Sequence, residues 1–247
     1  MKGEIRMKKV LLGLITAVCG IIFAYSAWKL YGSYSSYEEA KTTYQKLRKQ
    51  AVKKDPNRER KINFNQLEKI NPDVIGWIYV PGTKIDYPIV QGKDNEEYLH
   101  KTFDGENNNS GTIFMDKNGT KDFTADNNLI YGHHMKNGTM FADLLKFREK
   151  SFVEKSPYIF LVTPDRTRKL RVISAYANKA QGSIPIIFAD QQSRQQYLNT
   201  ILDKSEVSVG ISGKTKKEIK KIYTFVTCSY EKENYRTFVH AAEESGK

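Results

Sequence analysis

The sequence predicts a mainly β module, barrel-like and decorated by helices, carried behind an apolar N-terminal segment. Three observations point there. Short runs rich in β-branched and aromatic residues recur from Val74 to Thr227 with turn chemistry between them. Stretches with helical spacing are fewer and shorter. Hydrophobic residues make up 39% and aromatics 12% of 247 residues, enough for one good-sized core and too much for a disordered chain.

The first element is apolar. Val10 to Trp28 reads VLLGLITAVCGIIFAYSAW, 19 residues without a charge. At about 1.5 Å rise per residue such a helix just spans a hydrocarbon core of about 30 Å. Lys2, Arg6, Lys8 and Lys9 precede it against a single Glu4. By the positive-inside tendency, residues 1–9 form a cytoplasmic tail, 10–28 a single-pass signal-anchor, and the rest of the chain is extracellular. A cleaved signal peptide is the competing reading, through Ala24, Ser26 and Ala27, but the run exceeds the usual length of its apolar region. Residues 29–62 read as a juxtamembrane helix and linker. Residues 33–54 are rich in helix formers, acidic early at Glu38 and Glu39 and basic late, as the helix dipole favours. The basic end reads as a solvated face. Asp55-Pro56-Asn57 breaks the helix, and the globular module, 63–247, begins near Asn63.

Within the module, Val74–Val80, Tyr87–Val90, Gly111–Met115, Asn128–Tyr131, Tyr158–Thr163, Leu170–Ala177 and Ile222–Thr227 read as strands. Pro81-Gly82, Asn118-Gly119 and Asn137-Gly138 supply turns, which explains the two Asn-x-Thr matches without any sugar. Helices are expected at Asn65–Ile70, Asn95–Lys101, Thr139–Phe147 and over most of Asp190–Asp203, where Tyr197, Leu198, Ile201 and Leu202 recur at helical spacing.

Charge excludes one class of function. Residues 1–62 hold 14 Lys+Arg against 5 Asp+Glu, and 63–247 hold 26 against 23. The excess is therefore +9 ahead of the module and only +3 on it, too little for a nucleic-acid footprint. Two cysteines, one of them inside the apolar run, build no disulfide scaffold, so Cys228 is effectively a lone thiol. An exposed spare thiol outside the cell invites oxidation unless it is buried or useful.

Cys228 stands where a strand hands over to the loop SYEKEN. An imidazole is the usual activating partner of a thiol. His133 and His134 end the strand-like NNLIY through Gly132, while His100 and His240 lie in YLHKTF and FVHAA; position alone singles out none of the four. Arg236 comes eight residues after Cys228. A hairpin of 222–228 with 235–240 returns it beside the thiol, where a guanidinium donates to an oxyanion or a substrate carbonyl.

TFVTC ending at Cys228, Arg236 eight residues on and Gly132-His133 upstream resemble the sortase family of bacterial cell-surface transpeptidases. Residues 70–116 and the downstream NNLIYGHHMKNGTMFADLLKF are similar to class B members, so the resemblance covers most of 63–240. It implies a closed eight-stranded β-barrel with N-terminal helices and an added helix before the seventh strand, where residues 190–203 lie. It also implies Cys228 as nucleophile, His133 as acid/base and Arg236 as oxyanion or substrate-orienting cation, with Tyr131, Thr227, Ser229 and Glu231 as pocket residues. One departure is Val226, two residues before the cysteine, where many class B members have Ser. The implied reaction cleaves an exported protein after the Thr of a C-terminal sorting motif through a thioester, then joins it to an amine of peptidoglycan or its lipid-linked precursor. No cofactor and no metal is expected, and no nucleic acid. A pilin-polymerising sortase and a non-catalytic surface binding module are the alternatives.

Overall fold

Between Trp28 and Ser33 the sequence has no breaker beyond Gly32, whose cost of about 1 kcal/mol a long helix absorbs. The apolar and polar stretches accordingly run on as one helix, α1 (Lys2–Ala51), where the sequence pointed to an anchor and a separate helix. It is long and apolar enough to cross a membrane. The computed structural model describes residues 2–54, 60–180, 182–207, 219–229 and 234–243. The chain divides into two compact units, Met1–Lys41 and Thr42–Lys247. The second thus begins upstream of Asn63 and includes the last turns of α1, where Tyr44, Leu47 and Ala51 are buried.

The end of that helix differs from expectation in a second way. Residues 52–54 leave it as β1 (Val52–Lys54), paired with β2 (Arg60–Ile62) in a two-stranded ribbon. Asp55, Pro56 and Asn57 lie outside the described residues. Nor is the basic end simply solvated. Arg48 donates to the Asp86 carbonyl and lies 5.6 Å from the Tyr87 ring, and Arg60 pairs with the Asp86 carboxylate.

After α2 (Phe64–Glu68), capped by the Asn63 side chain, come β3 (Val74–Tyr79), β4 (Asp86–Val90), β5 (Ile113–Met115) and β6 (Asn127–Tyr131). Next are α3 (Lys150–Lys155), β7 (Tyr158–Val162), β8 (Thr167–Lys179), α4 (Gln191–Asp203), β9 (Ile222–Ser229) and β10 (Tyr235–Glu243). Strands β3 to β10 close into an eight-stranded barrel in the order β10-β8-β7-β3-β4-β5-β6-β9. Two neighbours, β4 with β5 and β6 with β9, are parallel, and the other pairs are antiparallel. Closure leaves no unpaired edge, and Ile78, Ile89, Ile113, Ile130, Leu161, Phe225 and Val239 are fully buried.

The helices expected at 95–101 and 139–147 are 3₁₀ turns, Glu97–Leu99 and Ala142–Arg148. Asp94 explains the first, because its carboxylate takes the amides of Glu96 and Glu97 and closes a tight turn there. α3 was not anticipated. α4, which precedes the seventh barrel strand, matches the expected span. Asp190 and Ser193 form a reciprocal capping box at its start, and Leu198 and Ile201 are buried against Val226, Phe238 and Tyr176.

Candidate active site

Strand alternation and register assemble the site. In the β9–β10 hairpin Val226 faces Phe238, and the next positions on that same face of the sheet are Cys228 and Arg236, directly opposite each other. The apolar patch covered by α4 therefore ends where the thiol-bearing and guanidinium-bearing positions begin. On the other side of β9 runs β6, parallel, with Tyr131 level with Val226. The Gly132 amide then donates to the Val226 carbonyl over 3.2 Å, and His133 leaves the strand end next to the end of β9.

Gly132 is required for its size. A Cβ there would collide with Ile113 Cδ1 and fall 2.7 Å from Phe141 Cδ2. Gly132→Ala is expected to cost about 1–3 kcal/mol through overpacking and to slow turnover by displacing His133. Denaturant midpoints and initial rates on one preparation check this, and parent values for both would contradict it.

His133 is half-buried and held from several sides. Its Nε2 lies 2.7 Å from the Leu99 carbonyl, its own carbonyl accepts from the Phe141 amide, and the His100 ring stands 6.1 Å away. A carbonyl only accepts, so Nε2 carries the proton and Nδ1 keeps a lone pair. Burial lowers the imidazole's pKa, which the Leu99 carbonyl partly offsets, and His100 lowers it further. The resting ring is therefore neutral at neutral pH.

The remaining candidates separate. Half-buried Tyr131 donates to Asp116 Oδ2 at 3.3 Å, and that carboxylate also receives the Asn95 amide at 2.9 Å. Burial first, and then Asp116, push the phenol's pKa up, partly offset by the charge of Arg236. Arg236 itself is exposed. Thr227 is not gathered with these residues. It lies on the alternate face of β9 opposite Thr237; both are buried, and neither hydroxyl has a partner among the described residues. Ser229 is opposite Tyr235 in register, and Glu231 lies outside the described residues.

Sequence reasoning passed over the Leu99 carbonyl and the Asn95–Asp116 pair. They come from loops distant in sequence, and no periodicity marks them. His240 proves structural. Fully buried, it sits 2.9 Å from Thr224 Oγ1 and 3.1 Å from the Tyr176 hydroxyl, and burial drives its pKa down to about 3. Between about pH 6.5 and 3 the unfolded chain binds a proton that the folded one refuses, so His240 makes stability fall as pH falls, by several kcal/mol in all. The urea-midpoint gap between parent and His240→Gln is therefore expected to shrink from pH 7 to pH 4; a constant gap would contradict this.

The chain matches the family model described as "Sortase domain" over residues 78–244. It is 32% identical to sortase B of Listeria monocytogenes over 92% of this chain and 94% of the relative. Against sortase B of Staphylococcus aureus the identity is 33%, over 90% and 91%. Among solved structures, a Staphylococcus aureus sortase B–substrate complex superposes with a TM-score of 0.73 at 30% identity, covering 86% of this chain and all of that one. Clostridium perfringens sortase B gives 0.70 at 33%, covering 74% and 100%.

Proposed function

The chain belongs to the sortase family, as a sortase B-type cysteine transpeptidase, and from that premise we propose that Cys228, His133 and Arg236 are its catalytic residues. One observation carries the assignment: the register that sets Arg236 opposite Cys228 at the strand end beside which parallel β6 delivers His133.

Cys228 thiolate attacks the carbonyl carbon of Thr in a sorting motif near the C-terminus of an exported protein. The tetrahedral intermediate collapses to a thioester as protonated His133 gives its proton to the departing amine. An amine of peptidoglycan or of its lipid-linked precursor then attacks the thioester. His133 takes the proton from that amine, Cys228 is released, and a new amide bond joins the protein to the wall. Arg236 stabilises the oxyanion in both halves.

The lowered pKa of His133 favours the neutral imidazole in the resting enzyme. Tyr131, on the same face as Cys228 and Arg236, borders the substrate pocket. The apolar stretch of α1 anchors the protein with residues 1–9 in the cytoplasm and 10–28 in the membrane, and the unit Thr42–Lys247 is the extracellular catalytic part. The length and composition of that helix and its basic N-terminal flank support this reading.

The test incubates the full chain in detergent with a panel of Thr-containing pentapeptides, with and without an amine nucleophile, and tracks products by mass spectrometry. Cleavage after Thr with a ligated product is expected. Cleavage whose products never include the amine adduct, however much amine is added, would make the activity hydrolytic and overturn the transpeptidation.

A further inference from the structure

Near its C-terminal end, within the unit Thr42–Lys247, α1 buries Tyr44, Leu47 and Ala51, a stripe at helical spacing. Tyr44 meets the Tyr87 ring edge-on at 5.1 Å. A buried phenol needs an acceptor. This one donates to the Gly111 carbonyl at 2.5 Å and lies 3.1 Å from Thr112 Oγ1. Burial raises its pKa well above the ordinary value, so it remains a donor across the working pH range.

The segment it holds is the floor under His133. Gly111 has φ +58, and a Cβ there would fall 2.6 Å from the Tyr98 carbonyl, 2.7 Å from the Leu99 carbonyl and 3.1 Å from His133 Cδ2. The next residue ties the same loop from two more atoms. The Thr112 amide donates to the Tyr98 carbonyl at 3.0 Å and its hydroxyl to the Lys101 carbonyl at 2.8 Å. Leu99, whose carbonyl takes the His133 Nε2 proton, lies between those two anchoring points. Gly111 thus has the Tyr44 hydroxyl on its carbonyl and His133 with its acceptor on the side where a Cβ would stand, with no room for a side chain between them.

We propose that Tyr44 is a positioning residue for the active site: its hydroxyl, by holding the Gly111 carbonyl, sets the place of the His133 ring and of the Leu99 carbonyl that orients it. The proposal rests on the assignment of His133 as acid/base. It makes the last turns of α1 a working part of the catalytic unit. Removing the hydroxyl leaves the ring against Tyr87 and frees the Gly111 segment to shift, and small displacements of a catalytic group are costly to rate.

The experiment compares the full chain in detergent with Tyr44→Phe, Thr112→Val and His133→Ala. It measures kcat and KM with a cleaved pentapeptide and amine, the melting temperature, and the His133 ring titration by NMR, assigned from its absence in His133→Ala. For Tyr44→Phe, kcat is expected to fall about tenfold or more with KM within about twofold. The His133 titration should move up toward the ordinary imidazole value as the ring loses its buried seat. Thr112→Val, which keeps the Tyr44 hydroxyl but removes its Thr112 neighbour and the bond to the Lys101 carbonyl, should move both readings in the same direction and provides the test if Tyr44→Phe does not fold. Parent kcat and parent His133 titration in the folded variants, even with a lower melting temperature, would overturn the proposal while His133→Ala is inactive. A fully active His133→Ala would overturn the acid/base assignment and the proposal with it.

Discussion

Cys228→Ala is expected to abolish ligation, lowering turnover by about 10⁴-fold or more, which corresponds to at least about 5 kcal/mol of barrier. The size of the effect comes from chemistry. Without the thiolate no acyl-enzyme forms, and oriented binding with an oxyanion donor retains only a small part of the rate enhancement. Folding should be unaffected, because β9 is held by backbone pairing to β10 and β6 that alanine sustains equally well. Cys228→Ser should be nearly as inactive, since a serine hydroxyl beside an imidazole of lowered pKa is far less readily ionised than a thiol. Initial rates for both variants, beside circular dichroism, check the expectation. Activity within tenfold of the parent in a well-folded Cys228→Ala would remove the nucleophile from the assignment.

The second large effect is at Arg236. Its removal to Ala is expected to cost about 10²–10³ in kcat, the range for losing one oxyanion donor, with little change in KM. Arg236 is exposed and opposite Cys228, so the loss should appear in rate and leave the melting temperature almost unchanged. Arg236→Lys separates charge from geometry. An ammonium keeps the charge but not the planar fork of donors, and should restore only part of the rate. Full activity in Arg236→Lys would mean that a point charge suffices; full activity in Arg236→Ala would exclude the cation from the chemistry.

Much of this site could be read from residue order. The terminal hairpin was legible because two β-rich runs flank a short polar loop, and its register sets Arg236 opposite Cys228. α4 was legible from apolar spacing and an acidic cap. Strand alternation by itself separates Thr227 from the face of Cys228. A residue adjacent to Cys228 in a strand belongs to the opposite face, and the buried Thr227–Thr237 pair is the consequence.

Periodicity does not carry partnership between distant segments. The strand content of 111–115 and 128–131 was visible, but not that β4 pairs with β5 and β6 with β9 in parallel. The second of these pairings is what sets the strand end that leads to His133 next to the end of β9. The Leu99 carbonyl that fixes the imidazole tautomer is a backbone atom in a loop, identical in kind to every other carbonyl in the sequence. Residues 52–54 looked like the end of a helix because Val-Lys-Lys suits either state, and pairing with Arg60–Ile62 decides it.

The most direct measurement is mass spectrometry of the full-length protein quenched during turnover of a cleaved pentapeptide in the absence of amine, with peptide mapping of the quenched sample. The chain has only two cysteines, Cys19 and Cys228, so the adduct is readily located. The expected result is the acyl fragment ending in Thr attached to the peptide that carries Cys228, converted to ligated product when amine is added. Continued turnover with no adduct on that peptide, or the same turnover from Cys228→Ala, would contradict the thioester route.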